Sequence, residues 1–207
     1  MTNAFPGPSQ RLADQADLVE DALRRASEAA LGPAAVEVGA QLETVERELR
    51  ALREALEEDA SSLLGVPVGA LPGTGEVVAA VHIGGDLQQL AELAGQIGEI
   101  ASARRARGPL PEGLRTPLLG LGDLALAMVA GAAGALRGPS AEIVADLHEG
   151  LNGVAQRQRL LYERLLDGAA TDRTDTVDTV LLACCFARCA THAASAARYA
   201  ALFAGRC

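Results

Sequence analysis

The sequence predicts an all-α fold of six helices, arranged as two tandem three-helix bundles. Three observations carry this. The stretch Val77 to Ala101, VVAAVHIGGDLQQLAELAGQIGEIA, steps by four and three through Ile83, Leu87, Leu90, Ala94, Ile97 and Ala101, one apolar stripe down a helix. A weaker copy near the C-terminus runs through Leu182, Cys185, Cys189, His192, Ala196, Tyr199 and Phe203. Laying Ile83 on Leu182 also lays Leu87 on Phe186, Leu90 on Cys189, Ala94 on Ala193 and Ile97 on Ala196, so the chain reads as two related halves. Finally, hydrophobic residues make up 49% of the 207 residues and aromatics 2%. A core of Leu, Val and Ala suits close-packed helices better than a sheet.

The elements follow in order. Residues 1–9 carry prolines and a glycine and read as a flexible arm. Ser9 can cap the first helix, Gln10 to Ala30, whose buried face is Leu12, Ala16, Val19 and Leu23. Gly32-Pro33 stops it. The second helix, about Ala34 to Asp59, keeps a heptad seam of Leu42, Val45, Leu49, Leu52 and Leu56. Its charges, including the pairs Glu43–Arg47 and Glu46–Arg50, form a solvated face. Thr74 can cap the third helix, the one opened on above. Its glycines Gly84, Gly85, Gly95 and Gly98 should each cost about 1 kcal/mol relative to Ala, which implies close packing against that backbone.

The Pro- and Gly-rich stretch Gly108 to Thr116 separates a first three-helix repeat, 10–108, from a second, 109–207. The fourth helix runs about Thr116 to Arg137 and Gly138-Pro139 stops it. The fifth, about Ser140 to Asp167, starts on Ser140 near Ile143 and continues through Leu147, Leu151, Val154, Leu161 and Leu165. Asp172, Asp175 and Asp178 place negative charge at the start of the sixth, where the helix dipole favours it. Short connections make neighbouring helices antiparallel.

Composition excludes several functions. A net charge of −9 argues against non-specific nucleic-acid binding. Arg104, Arg105 and Arg107 read as a solvated helix end that favours the macrodipole. Every basic residue is arginine, so neither Schiff-base chemistry nor a P-loop lysine is available. Met1 to Gln10 lacks the basic start and apolar run of a secretory signal, which points to a reduced, cytoplasmic setting. Leu118 to Leu136 is long enough to span a membrane, but Asp123 interrupts it and Ala and Gly dominate, as in a buried bundle helix.

The first central segment reads Ile83-Gly-Gly-Asp86-Leu87-Gln88-Gln89-Leu90-Ala91-Glu92-Leu93-Ala94-Gly95-Gln96-Ile97-Gly98. The second reads Cys184-Cys185-Phe186-Ala187-Arg188-Cys189-Ala190-Thr191-His192-Ala193-Ala194-Ser195-Ala196-Ala197. Together they resemble the two copies of the D-L-E-R-I-G-D segment of the PhoU family of phosphate-uptake regulators, with Arg188 and His192-Ala193 retained. The resemblance covers about Gln10 to Gly205. It implies two tandem three-helix bundles and a non-enzymatic, cytoplasmic protein. That protein would couple a phosphate ABC transporter to a sensor histidine kinase and dampen phosphate-starvation signalling. It also implies a homodimer, peripheral to the membrane at most. The family binds metal clusters through E-x-x-x-D carboxylates, which fall here on Gln88 and Glu92, and on Ala187 and Thr191. Only Glu92 is a carboxylate, and hard cations need several charged oxygen ligands, so no metal and no cofactor is expected.

Other candidates remain beside that reading. Cys185, Cys189 and His192 share one helix face and carry zinc-type donors, although on an apolar seam cysteine serves as a small hydrophobe. The alternatives are therefore a metal-binding bundle built on these three residues and Glu92, or a diverged adaptor with another partner. His82 and Asp86, at i and i+4, read as a polar surface pair. Glu92 is expected to pair with an arginine such as Arg188. The Gly73-Thr74-Gly75 turn has free N–H groups for an anion but no further phosphate motif. No catalytic constellation can be argued from these spacings.

Overall fold

The computed structural model describes residues 8–32, 44, 47, 50–51, 54, 74–168 and 172–204, with side chains for 10–32, 44, 47, 50–51, 54, 78–168 and 172–202. They hold five continuous helices and no strand: α1 Pro8–Leu31, α2 Thr74–Arg104, α3 Glu112–Arg137, α4 Ala141–Leu166 and α5 Arg173–Ala204. The second predicted helix falls mostly outside the described residues, its seam from Leu42 to Leu56 included. The five described positions in it, Thr44, Arg47, Arg50, Ala51 and Glu54, are helical and exposed, as the solvated face requires. Residues 1–7 and Gly73 lie outside the described residues too.

Helix boundaries follow local chemistry. α1 begins at Pro8, two residues ahead of the expected start, because proline's fixed φ and missing N–H cost nothing in a first turn. It ends where expected, with Gly32 N–H donating to Glu28 O at 2.7 Å. Arg115 Nη1 donates to Leu31 O at 3.3 Å and so covers one of the open carbonyls there. α3 begins at Glu112 rather than Thr116. Both Leu114 and Arg115 N–H groups donate to Pro111 O, so the turn closes before Pro117, whose missing donor falls early in the helix. The expected cap of α4 is present, Ser140 Oγ accepting from Ile143 N–H at 3.1 Å. Gly108 and Gly168 occupy left-handed backbone at φ 82° and 85° in the α2–α3 and α4–α5 connections, a conformation other residues take at a cost.

α1 packs on α2 and α3, and α5 packs on the same two helices, so these four form a ring. α4 lies outside it against α3 and α5, which completes a three-helix bundle in the second half. One hydrophobic cluster runs through all five helices. The superposed seams of the two halves are both inside it: Ile83, Leu87, Leu90, Ala94 and Ile97 are buried, and so are Leu182, Phe186, Cys189, Ala193 and Ala196.

Two helices, Glu112–Arg137 and Arg173–Leu202, are long and apolar enough to cross a membrane by length and composition, and half of each apolar stretch is buried among the other helices. Asp123 lies on the exposed side of the first. That accounts for a hydrophobic run broken by charge as the wall of a bundle.

The close backbone packing expected at the α2 glycines is not found at Gly85, where an added Cβ would meet nothing within 4 Å. Close approaches of this kind are found on α3 and α4. A Cβ on Gly122 would lie 3.1 Å from the Phe186 ring, one on Gly131 would lie 3.1 Å from Leu147, and one on Gly150 would lie 3.0 Å from Met128. With few aromatic side chains to fill gaps, the helices approach at glycine instead.

Candidate functional site

The surface between α2 and α5 gathers most of the polar residues singled out in the sequence. Five contacts run along it: His82 with Tyr199, Asp86 with His192, Gln89 with Arg188, Gln96 with Cys185, and Arg104 with Asp175 and Asp178. As the α2 number rises the α5 number falls, so the helices are antiparallel. Each contact joins one half of the chain to the other.

Asp86 takes His192, not His82, as partner: Asp86 Oδ1 lies 2.9 Å from His192 Nδ1. His82 stacks on the ring of Tyr199, with centroids 4.3 Å apart and planes 3° from parallel. Arg198 lies over the same tyrosine ring, 5.2 Å from its centroid. The i,i+4 pairing expected for His82 and Asp86 is not formed, because the facing helix offers each a partner, Tyr199 and His192.

Arg188 does not reach Glu92. Its Nη2 donates to Gln89 Oε1 at 3.3 Å, across a separation of 99 residues. This is also the offset that superposes the two seams, so Gln89 and Arg188 are equivalent positions of the two copies touching each other. Glu92 instead accepts from the side-chain amides of Gln88 and Gln89, each at 2.9 Å. The other two positions matching the family carboxylates, Ala187 and Thr191, are also joined within their own helix, Thr191 Oγ1 donating to Ala187 O at 3.0 Å. These four positions thus bring one carboxylate to the surface, and that one already holds two amide donors.

Cys185 and Cys189 are buried, and His192 is held by Asp86. The Cys185 thiol donates to Gln96 Oε1 at 3.8 Å. Burial pushes both thiols above their ordinary range, and nearby Arg188 only partly opposes this. Zinc needs the thiolate. Among the described residues, no three His, Cys, Asp or Glu side chains are grouped so as to hold a metal ion.

Arg104, a solvated helix end by sequence alone, is buried at this surface. Arg104 is 5% exposed, and its Nη1 donates to Asp175 Oδ1 at 2.9 Å and to Asp178 Oδ2 at 2.6 Å. Arg107 adds a second bond to Asp178 Oδ2 at 3.0 Å, and Arg104 Nη2 donates to Gly108 O at 3.3 Å. Burial disfavours the charge on Arg104, but the bonds to Asp178 and Asp175 outweigh it, so its pKa is held above the ordinary value. The aspartates expected to serve the α5 dipole therefore also neutralise an arginine from the other half. Asp172 does cap the helix, its Oδ1 accepting from Asp175 N–H at 2.7 Å.

On the far side of α5, Tyr162 of α4 bonds to Cys184 Sγ at 3.4 Å, and Gln158 donates to its hydroxyl at 3.0 Å. Burial first, and then Cys184, push the Tyr162 phenol up to about 12. Tyr162 and the two buried thiols are not activated as nucleophiles, since activation lowers a pKa and theirs are raised. The α2–α5 surface is thus a line of polar contacts between the two helices.

No family model and no curated protein matches the sequence. Solved structures do. PhoU from Pseudomonas aeruginosa superposes with a TM-score of 0.80 at 16% identity, over 97% of this chain and 96% of that one. A PhoU-like phosphate regulatory protein from Shewanella oneidensis superposes with a TM-score of 0.71 at 17% identity, over 97% of this chain and all of the other. The chain therefore has the fold of the PhoU phosphate regulators along nearly its whole length.

Proposed function

We propose that this chain is a PhoU-like regulator of phosphate transport and phosphate-starvation signalling. It acts by binding a phosphate ABC transporter, a sensor histidine kinase or both, and carries out no reaction. The observation that carries this reading is the superposition on PhoU at a TM-score of 0.80 over 97% of the chain. The lack of an activated nucleophile between α2 and α5 supports binding over catalysis. The half-buried apolar helices support a cytoplasmic protein that meets the membrane only through its partners. A homodimer is part of the same proposal.

The test is binding between purified components. The chain is immobilised and offered the detergent-solubilised phosphate transporter and the cytoplasmic part of the phosphate-sensing kinase from the same cell. Saturable binding to either supports the reading. Binding to neither, by chain whose helical circular dichroism is intact, overturns the proposed mechanism.

A further inference from the structure

We draw no further inference here: the strongest candidate, the group of exposed apolar residues Leu166, Val177 and Leu181 at the end of the bundle where α4 turns into α5, carries nothing because no feature of the structure shows what covers it.

Discussion

Arg104, on the last turn of α2, donates to Asp178, near the start of α5, across 2.6 Å in a nearly water-free setting. The bond spans 74 residues and joins the end of the first half to the third helix of the second. With Asp175 and Arg107 it belongs to a buried cluster of guanidinium and carboxylate groups. Such a cluster adds little over an apolar packing of the same shape, but it punishes the loss of one member.

Replacing Arg104 alone should therefore be severe. Arg104→Met removes the bonds that Asp175 and Asp178 accept in a buried setting, and should cost about 3 kcal/mol in denaturant unfolding. Adding Asp175→Asn and Asp178→Asn should restore a large part of that loss. A single variant within about 1 kcal/mol of the parent would contradict the cluster's burial.

The glycines of α3 should part company. Gly120 has open space where a Cβ would go, so Gly120→Ala should stabilise by about 0.5–1 kcal/mol through helix propensity. Gly122 faces the wholly buried Phe186 ring at 3.1 Å, so Gly122→Ala should destabilise. Phe186→Ala should cost about 3–5 kcal/mol. Thermal melts of the three variants give the order directly, and equal effects at Gly120 and Gly122 would contradict the α3–α5 contact.

Tyrosine ionisation offers a spectroscopic check. The chain has two tyrosines and no tryptophan, so the near-ultraviolet tyrosinate signal is simple. Tyr162 should ionise near pH 12, and Tyr162→Phe should remove that step. The folded value lies above the ordinary value of 10.0, so the folded state holds this proton more tightly. The stability it contributes is complete below pH 10 and is lost as the pH rises through 12. A parent titration with both phenols ionised by pH 10 would contradict the burial of Tyr162.

Thiol reactivity should follow burial. Cys184 is exposed, whereas Cys185 and Cys189 are buried with raised pKa values. Among these three, timed alkylation of native protein at neutral pH, read by peptide mass spectrometry, should label Cys184 first and Cys189 last. Labelling of Cys189 as fast as Cys184 would show that the α2–α5 seam opens.

Much of this arrangement was legible in the sequence because it is periodic or local. The buried seams from Ile83 to Ile97 and from Leu182 to Ala196 follow from three-and-four spacing, and the Ser140 cap from residues three apart. What escaped depends on contacts across the fold. Arg104 reads as a surface charge because its partners are 71 and 74 residues away. Asp86 was matched to its helical neighbour His82, whereas its partner His192 is 106 residues off. Gly85 reads as a packing site but has open space around it, because helix crossings, not glycine counts, decide where backbones meet.

The most direct test of the regulatory role is a deletion strain of the native host carrying a phosphate-starvation reporter, grown with ample phosphate. The account predicts reporter expression far above the parent, restored to the parent level by a plasmid copy of the gene. Expression identical to the parent in ample and in limiting phosphate would contradict it.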